Sequence, residues 1–210
     1  MDAGPGLNFF ALNKERLLFA TVGSLSVPET VHSEILDKAR RDQRFAAAER
    51  VLAKLPAKYL DVLSDDATPE LSAAVSRLAG IPMEQRVRSP RDLGEMMVLA
   101  HAVVGAESGE DMTVLVDDGG GRRMAALEAR RLDRLREAGR PMGRLRLIST
   151  MTVLRNAAGK RELPDRQSMR DLYSRLRGLD DGLLPLDRTD LMDLPCWSPP
   201  RDTPSERRSR

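Results

Sequence analysis

Short apolar runs with strand character recur along this chain, and each is followed by a helical segment rather than by a second strand. The runs are SLSV (24–27), YLDVLS (59–64), TVLV (113–116) and RLRLIS (144–149), with no hairpin signal between them. Strands that never meet through a hairpin pair in parallel through crossovers, and a parallel sheet needs helices over both faces. The pattern therefore predicts an α/β chain with a central parallel sheet.

The helical segments carry their own punctuation. Leu7, Phe10, Ala11, Lys14, Leu17 and Leu18 fall at helical spacing and predict one amphipathic first helix over 7–18. Pro28 is tolerated in the first turn of a helix whose apolar stripe is Val31, Ile35 and Leu36. RFAAAERVLAKL (44–55) reads as a helix that stops at Pro56. Thr68-Pro69-Glu70 reads as an N-cap with proline at the first helical position, opening a helix to about Ala79. Ser89-Pro90-Arg91-Asp92 repeats the device before EMMVLAHAVV. TMTVLRNAAG starts a helix that Gly159 ends, and DRQSMRDLYSRLRGL predicts another. YLDVLS alternates weakly, as an edge strand does. The expected organisation is one domain over 1–182 and a C-terminal extension, 183–210, disordered from about 194 where prolines and charges thicken.

Composition narrows the function classes. Aromatics make up 3% of the chain and Trp197 is its only tryptophan, so the core must be built from Leu, Val, Ala and Met. A base-stacking surface for single-stranded nucleic acid is disfavoured for the same reason. The net charge of +2 is carried by the last ten residues, which hold four Arg against one Asp and one Glu. Residues 122–146 hold nine Arg against three acidic residues, a bias suited to a polyanion or to a solvated helix face. The single Cys196 excludes an internal disulfide, and with His32 and His101 it makes no familiar zinc spacing. No leader-like segment is present, and no run approaches the roughly 20 apolar residues of a membrane span, so a soluble, cytoplasmic setting is expected.

VLVDDGGGRRMA (114–125) is the most informative stretch. In an open parallel sheet ligands sit outside the carboxyl ends of the strands, where Asp117 and Asp118 fall. Adjacent carboxylates resist joint ionisation unless a cation relieves them, and Mg²⁺ is a hard ion that accepts oxygen ligands. The plainer alternative is a turn, because Asp and Gly are favoured at strand ends and Asp at helix starts. A phosphate cradle built on the three glycines fits less well. The aspartates before them repel phosphate, and no G-x-G-x-x-G or Lys-Ser/Thr pair follows.

Four acidic landmarks occur in order: MDAGPGLNFFA, VPETVHSEI, PRDLGEMMVLAHA and VLVDDGGGRRMA. The series resembles the PIN domain family, metal-dependent ribonucleases that include the virulence-associated C toxins of bacterial toxin–antitoxin pairs. The likeness spans roughly residues 1–180 and rests on Asp2 before an apolar helix, Glu34 after Val-Pro, Asp92-Leu93-Gly94-Glu95 opening an Ala-rich helix, and Asp117 before Arg-Arg. It implies a three-layer α/β/α domain whose Asp2, Glu34, Asp92 and Asp117 bind Mg²⁺ or Mn²⁺ and catalyse hydrolysis of RNA phosphodiester bonds. Glu95, Asp118, Arg122, Arg123 and Thr150 are then expected to support the carboxylates or contact substrate phosphates. RNA, an antitoxin protein and a second copy of the chain are the partners implied, with no membrane.

One departure concerns the front of the chain. The family places several apolar residues before its first Asp to form the central strand, whereas only Met1 precedes Asp2 here, so the expectation is either that the chain starts late or that the strand is missing. A domain without it is the alternative function: a degenerate module that binds RNA or protein without chemistry. Each landmark also has a structural alternative. Asp92, three residues after Ser89, suits a capping box. Glu34 suits a surface, Glu95 a solvated face, Asp118 a turn, and Ser149 and Thr150 a helix cap. His101 among alanines suits a packed core, and Met96, Met97 and Met151 suit core filler.

Overall fold

A computed structural model describes residues 1–198. The chain starts directly in helix α1 (Ala3–Ala11), turns through Asn13 at φ 53°, and continues in α2 (Glu15–Val22). The single helix expected over 7–18 is thus two. Asn is among the few residues besides Gly that enter the left-handed region at low cost, and the break lets both segments bury their apolar faces. Leu7, Phe9 and Phe10 of α1 and Leu17 and Leu18 of α2 are all buried.

Strand β1 (Leu25–Pro28) leads straight into α3 (Glu29–Arg41), with Pro28 as the extended residue before the first turn. A 3₁₀ turn (Gln43–Phe45) precedes the short α4 (Ala46–Leu52), and β2 (Leu60–Leu63) pairs in parallel with β1. Helix α5 (Pro69–Ala79) opens as expected: Thr68 Oγ1 accepts the Leu71 amide at 3.1 Å with Pro69 in the first turn, and Gly80 ends it at φ 70°. A one-turn helix, α6 (Met83–Arg86), follows.

The repeated Ser-Pro device does not cap the next helix. The guanidinium of Arg86, buried, donates to the carbonyls of Ser89 and Arg91 at 2.6 Å each and holds the loop in a different path. Asp92 then sits left-handed at φ 52° as the N-cap of α7 (Leu93–Glu107), with no side-chain cap bond. A non-Gly residue at that φ is held there by its surroundings. Helix α7 is apolar on nearly every side, with Met96 through Ala100, Ala102, Val103 and Ala106 buried. A helix of that pattern belongs in the middle of a core. It packs against α3, α5, α8, β1 and β3. Met96 and Met97 are core filler as expected, but His101 is not simply packed: its Nε2 pairs with Asp65 Oδ1 at 2.9 Å.

Strand β3 (Met112–Leu115) pairs in parallel with β4 (Leu145–Ile148), separated by α8 (Gly119–Glu137). Helix α9 (Thr150–Ala157) begins with a capping box between Ser149 and Thr152, and α10 (Arg166–Leu179) is capped by Asp165. Gly159 stands just past α9 at φ 74°. In the C-terminal extension Pro195–Trp197 form a 3₁₀ turn, and Trp197 Nε1 donates to Leu191 O at 2.7 Å. Order therefore runs past residue 194, and the disorder expected further on lies outside the described residues from 199.

The result is a mixed α/β fold, mostly helical, with short parallel strands in two two-stranded sheets rather than one. Among the described residues, Met1 and Asp2 bridge β1 and β3. The Met1 nitrogen donates to Ser26 O at 2.8 Å, and the Asp2 amide donates to Leu115 O at 3.0 Å. No helix among the described residues is long and apolar enough to cross a membrane.

Candidate functional site

The carboxyl ends of the strands gather acid because each strand stops there and a helix starts. Val116 extends the β3 pattern by donating to Ile148 O at 3.1 Å, and the chain then turns at Asp117. Asp117 is held from the neighbouring strand end. The Thr150 amide donates to its Oδ1 at 2.8 Å, and the fully buried Thr150 hydroxyl donates to its Oδ2 at 2.5 Å. Thr150 is therefore a residue that orients Asp117, whereas Ser149 is spent on the cap of α9.

Asp118 takes the plainer role. Its Oδ1 accepts the Gly120 amide at 2.5 Å and lies 3.4 Å from the Gly121 amide, capping α8. Those amides hold the Asp118 carboxyl below its ordinary range. Arg122, one turn into α8, donates to Val116 O at 3.3 Å and lines the same cavity as Asp117. Arg123 is exposed beside Gly119 and does not line it.

That cavity, of about 540 Å³, is walled by Asp2, Asp117, Asp118, Arg122 and Asp180. Asp180, just past α10, has no counterpart in the sequence-based expectations. It is positioned by the buried Asn8 of α1, whose Nδ2 donates to Asp180 Oδ2 at 3.0 Å. The signal was present: Asn8 is the one strongly polar side chain in AGPGLNFFA, and a buried amide needs a partner.

Glu34 and Glu95 are each seated on a glycine. A Cβ added at Gly94 would collide with the carboxylate of Glu34, and one at Gly121 would collide with Glu95. Glu95 Oε1 is buried without a hydrogen-bond partner among the described residues. Glu34 lies in a separate hollow beside Thr30, Ser33 and Leu93. Asp92 is the outlier, with its side chain 68% exposed and turned toward Arg91 at 3.6 Å. Neither the capping-box role nor a place in the cavity falls to it.

Asp2 lines the first hollow, and its charge is felt by Glu34 in the second. Burial raises the carboxyls of Asp2, Glu34 and Asp117 above their ordinary range. The negative charge of Asp2 contributes further to the rise at Glu34 and Glu95, and that of Asp117 acts on Asp2. Glu95 is pushed up to about 7, first by burial and then by Asp118. Still, among the described residues no three His, Cys, Asp or Glu side chains converge closely enough to hold a metal ion.

The Glu95 shift has a measurable consequence. A carboxyl whose folded pKa is raised favours the native state while it keeps its proton. The contribution is complete below the unfolded value of 4.5 and is lost as pH climbs through about 7. Glu95→Gln removes this titration. Its melting temperature relative to the parent is expected to rise between about pH 5 and about pH 8 by roughly 2–4 °C, partial exposure of the site limiting the effect to about 1 kcal/mol. A difference between the two proteins that does not change with pH would take Glu95 out of the coupled set.

No family model, curated protein or solved structure matches the chain with significant similarity.

Proposed function

We propose that this chain is a Mg²⁺- or Mn²⁺-dependent endoribonuclease built on a PIN-like three-layer arrangement, acting as the toxin of a toxin–antitoxin pair. The observation that carries the proposal is the gathering of half-buried carboxyls near the strand ends: Asp2 and Asp117 line one cavity with Arg122, while Glu34 and Glu95 sit against Gly94 and Gly121. Burial disfavours the charged form of such groups, and a divalent cation offsets that cost. The donor set is oxygen alone, which suits a hard ion, and the unpartnered Glu95 Oε1 leaves one lone pair free for it.

Asp2 and Asp117, which share the cavity, would be the first to hold the ion; Glu34 and Glu95 would have to move toward it from their present seats, and Asp92 lies outside the set. A bound divalent ion supplies an activated water and shields the charge that builds on an attacked phosphodiester. The residues of the chain do the rest. Thr150 fixes Asp117, Asn8 fixes Asp180 at the rim, and Arg122 faces the cavity as a partner for substrate phosphate. No His pair or nucleophilic Ser or Cys constellation is needed for this chemistry.

A second proposal has its own support: a degenerate module that binds RNA or protein without turnover. It draws on the outward Asp92 and on the carboxylates lying in two hollows rather than one. A Mn²⁺ titration by calorimetry, with and without an RNA pool, separates the two. The nuclease proposal expects saturable Mn²⁺ binding and EDTA-sensitive cleavage. The glycine seats sharpen the result. Gly94→Ala and Gly121→Ala meet the side chains of Glu34 and Glu95 first, so melting temperatures should change by no more than about 2–4 °C while Mn²⁺ affinity falls roughly tenfold or more. RNA binding with neither Mn²⁺ uptake nor cleavage would favour the module instead.

A further inference from the structure

Helix α10 carries four Arg and one acidic residue, Asp171, which accepts from Gln167 at 2.8 Å. Its buried stripe is Met169, Leu172, Tyr173 and Leu176, so Arg170, Ser174, Arg177 and Gly178 fall together on an exposed face at helical spacing. With Tyr173 and Leu186 these four line a groove of about 370 Å³ that no acidic side chain enters. Elsewhere the exposed Arg40, Arg44 and Arg155 meet carboxylates at 2.8, 2.8 and 2.7 Å, but Arg170 and Arg177 have no such partner among the described residues. Arg177 spends only its Nε, on Leu183 O at 3.3 Å. Two planar guanidiniums and a hydroxyl around a groove without carboxylates suit a phosphate group, which Arg pairs through two parallel bonds.

Gly178 points the same way. A Cβ added there would meet nothing within 4 Å beyond its own turn of helix, so packing does not require glycine. Gly23, Gly80 and Gly139 are equally open, but each takes a positive φ that favours glycine, whereas Gly178 lies in the last turn of α10 at ordinary helical φ. A glycine in a helix costs about 0.5–1 kcal/mol relative to alanine, and close approach of a ligand to the backbone is one use that offsets the cost.

The groove shares a wall with the acidic cavity. The segment after α10 lines that cavity with Asp180, Gly182, Leu183 and Leu184 and reaches the groove at Leu186. Helix α10 fixes this segment, since the Tyr173 hydroxyl donates to Leu184 O at 2.7 Å and Arg177 to Leu183 O. A polyanion entering the cavity meets Asp2, Asp117, Asp118 and Asp180 there, with Arg122 as the one cation lining it. Its hold on the protein must therefore come from cations outside. We infer that the α10 groove binds a backbone phosphate of the RNA strand whose scissile bond occupies the acidic cavity, an assignment that rests on the nuclease proposal for where the strand goes but not for what the groove holds. Arg170 and Arg177 pair the phosphate oxygens, Ser174 donates its hydroxyl, and Gly178 admits the strand close to the helix.

Gly178→Glu tests this directly, because it brings a carboxylate into the groove where no packing is disturbed, and its melting temperature should stay within about 2 °C of the parent. Arg170→Gln removes one cation, and Arg175→Gln, exposed on the same helix but outside the groove, is the control. Binding of a labelled single-stranded RNA pool is measured by fluorescence anisotropy in EDTA across a salt series. Gly178→Glu and Arg170→Gln are each expected to weaken binding roughly tenfold and to flatten the salt dependence by about one unit of log–log slope, with Arg175→Gln within about twofold of the parent. In Mn²⁺ the loss should appear in KM for cleavage. Parent-like RNA affinity in both groove variants overturns the inference even where Mn²⁺-dependent cleavage persists, and so does an equal loss in Arg175→Gln. Calorimetric uptake of inorganic phosphate without RNA binding overturns it as well. The expected losses in a protein that cleaves no RNA would support the groove while removing the nuclease proposal.

Discussion

Asp117→Asn is expected to lower Mn²⁺-dependent RNA cleavage by roughly 10³-fold, about 4 kcal/mol in the activation barrier, while the fold stays intact. The substitution keeps an oxygen to accept from the Thr150 amide or hydroxyl, so the local geometry survives. What it removes is one negative charge at the point where β3 ends beside Asp2 and Arg122. Single-turnover cleavage of an RNA pool, with melting temperatures measured alongside, reads the effect. A variant that melts like the parent and cleaves at the parent rate would falsify the nuclease proposal. Asp92→Asn is the natural control, because its exposed side chain predicts little change.

The second large effect concerns stability. Arg131 on α8 donates to Glu128 at 2.8 Å on its own helix and to Glu107 on α7. Arg77 of α5 reaches Glu107 at 3.0 Å and Glu128 at 3.6 Å, so two cations and two carboxylates tie three helices together. Glu128 is 8% exposed. Removing one cation from such a set leaves two carboxylates facing a single partner, which is far costlier than losing a surface pair. Arg131→Met, which keeps the apolar bulk, is expected to cost about 2–4 kcal/mol and to lower the melting temperature by roughly 5–15 °C. Arg130→Met, one position along on an exposed face, should change it by no more than about 2 °C. Parity between these variants would mean that the network contributes no more than surface charge does.

That network shows why the Arg-rich stretch was ambiguous in one dimension. Nine Arg in 122–146 suit a phosphate track as well as a solvated face. In three dimensions Arg131 and Arg136 are paired with acidic side chains, and Arg122 faces the acidic cavity. Charge counts along a chain do not record which partners arrive from other helices. The same limit hid Asp180 and the Asp65–His101 pair, whose members are far apart in sequence.

Local devices, by contrast, were readable. Thr68-Pro69 and Ser149 cap their helices because a hydroxyl within reach of a nearby amide needs no distant partner. Ser89 resembled them in sequence and failed, because Arg86 captures the loop carbonyls that would otherwise let the helix start there. Asp92 accordingly points outward.

By itself the sequence determined the alternation of strand and helix, the parallel pairing, the caps at Thr68 and Ser149, and the placing of Asp117 at a strand end. All follow from periodicity and short-range hydrogen bonding, which act within a few residues. Only the tertiary structure decided that Asp2, Asp117 and Asp180 share a cavity, that Gly94 and Gly121 make room for the glutamates, and that β1 and β3 line a common cavity. Those outcomes depend on burial and on contacts between distant segments, whose energies are set by the packing of the whole chain.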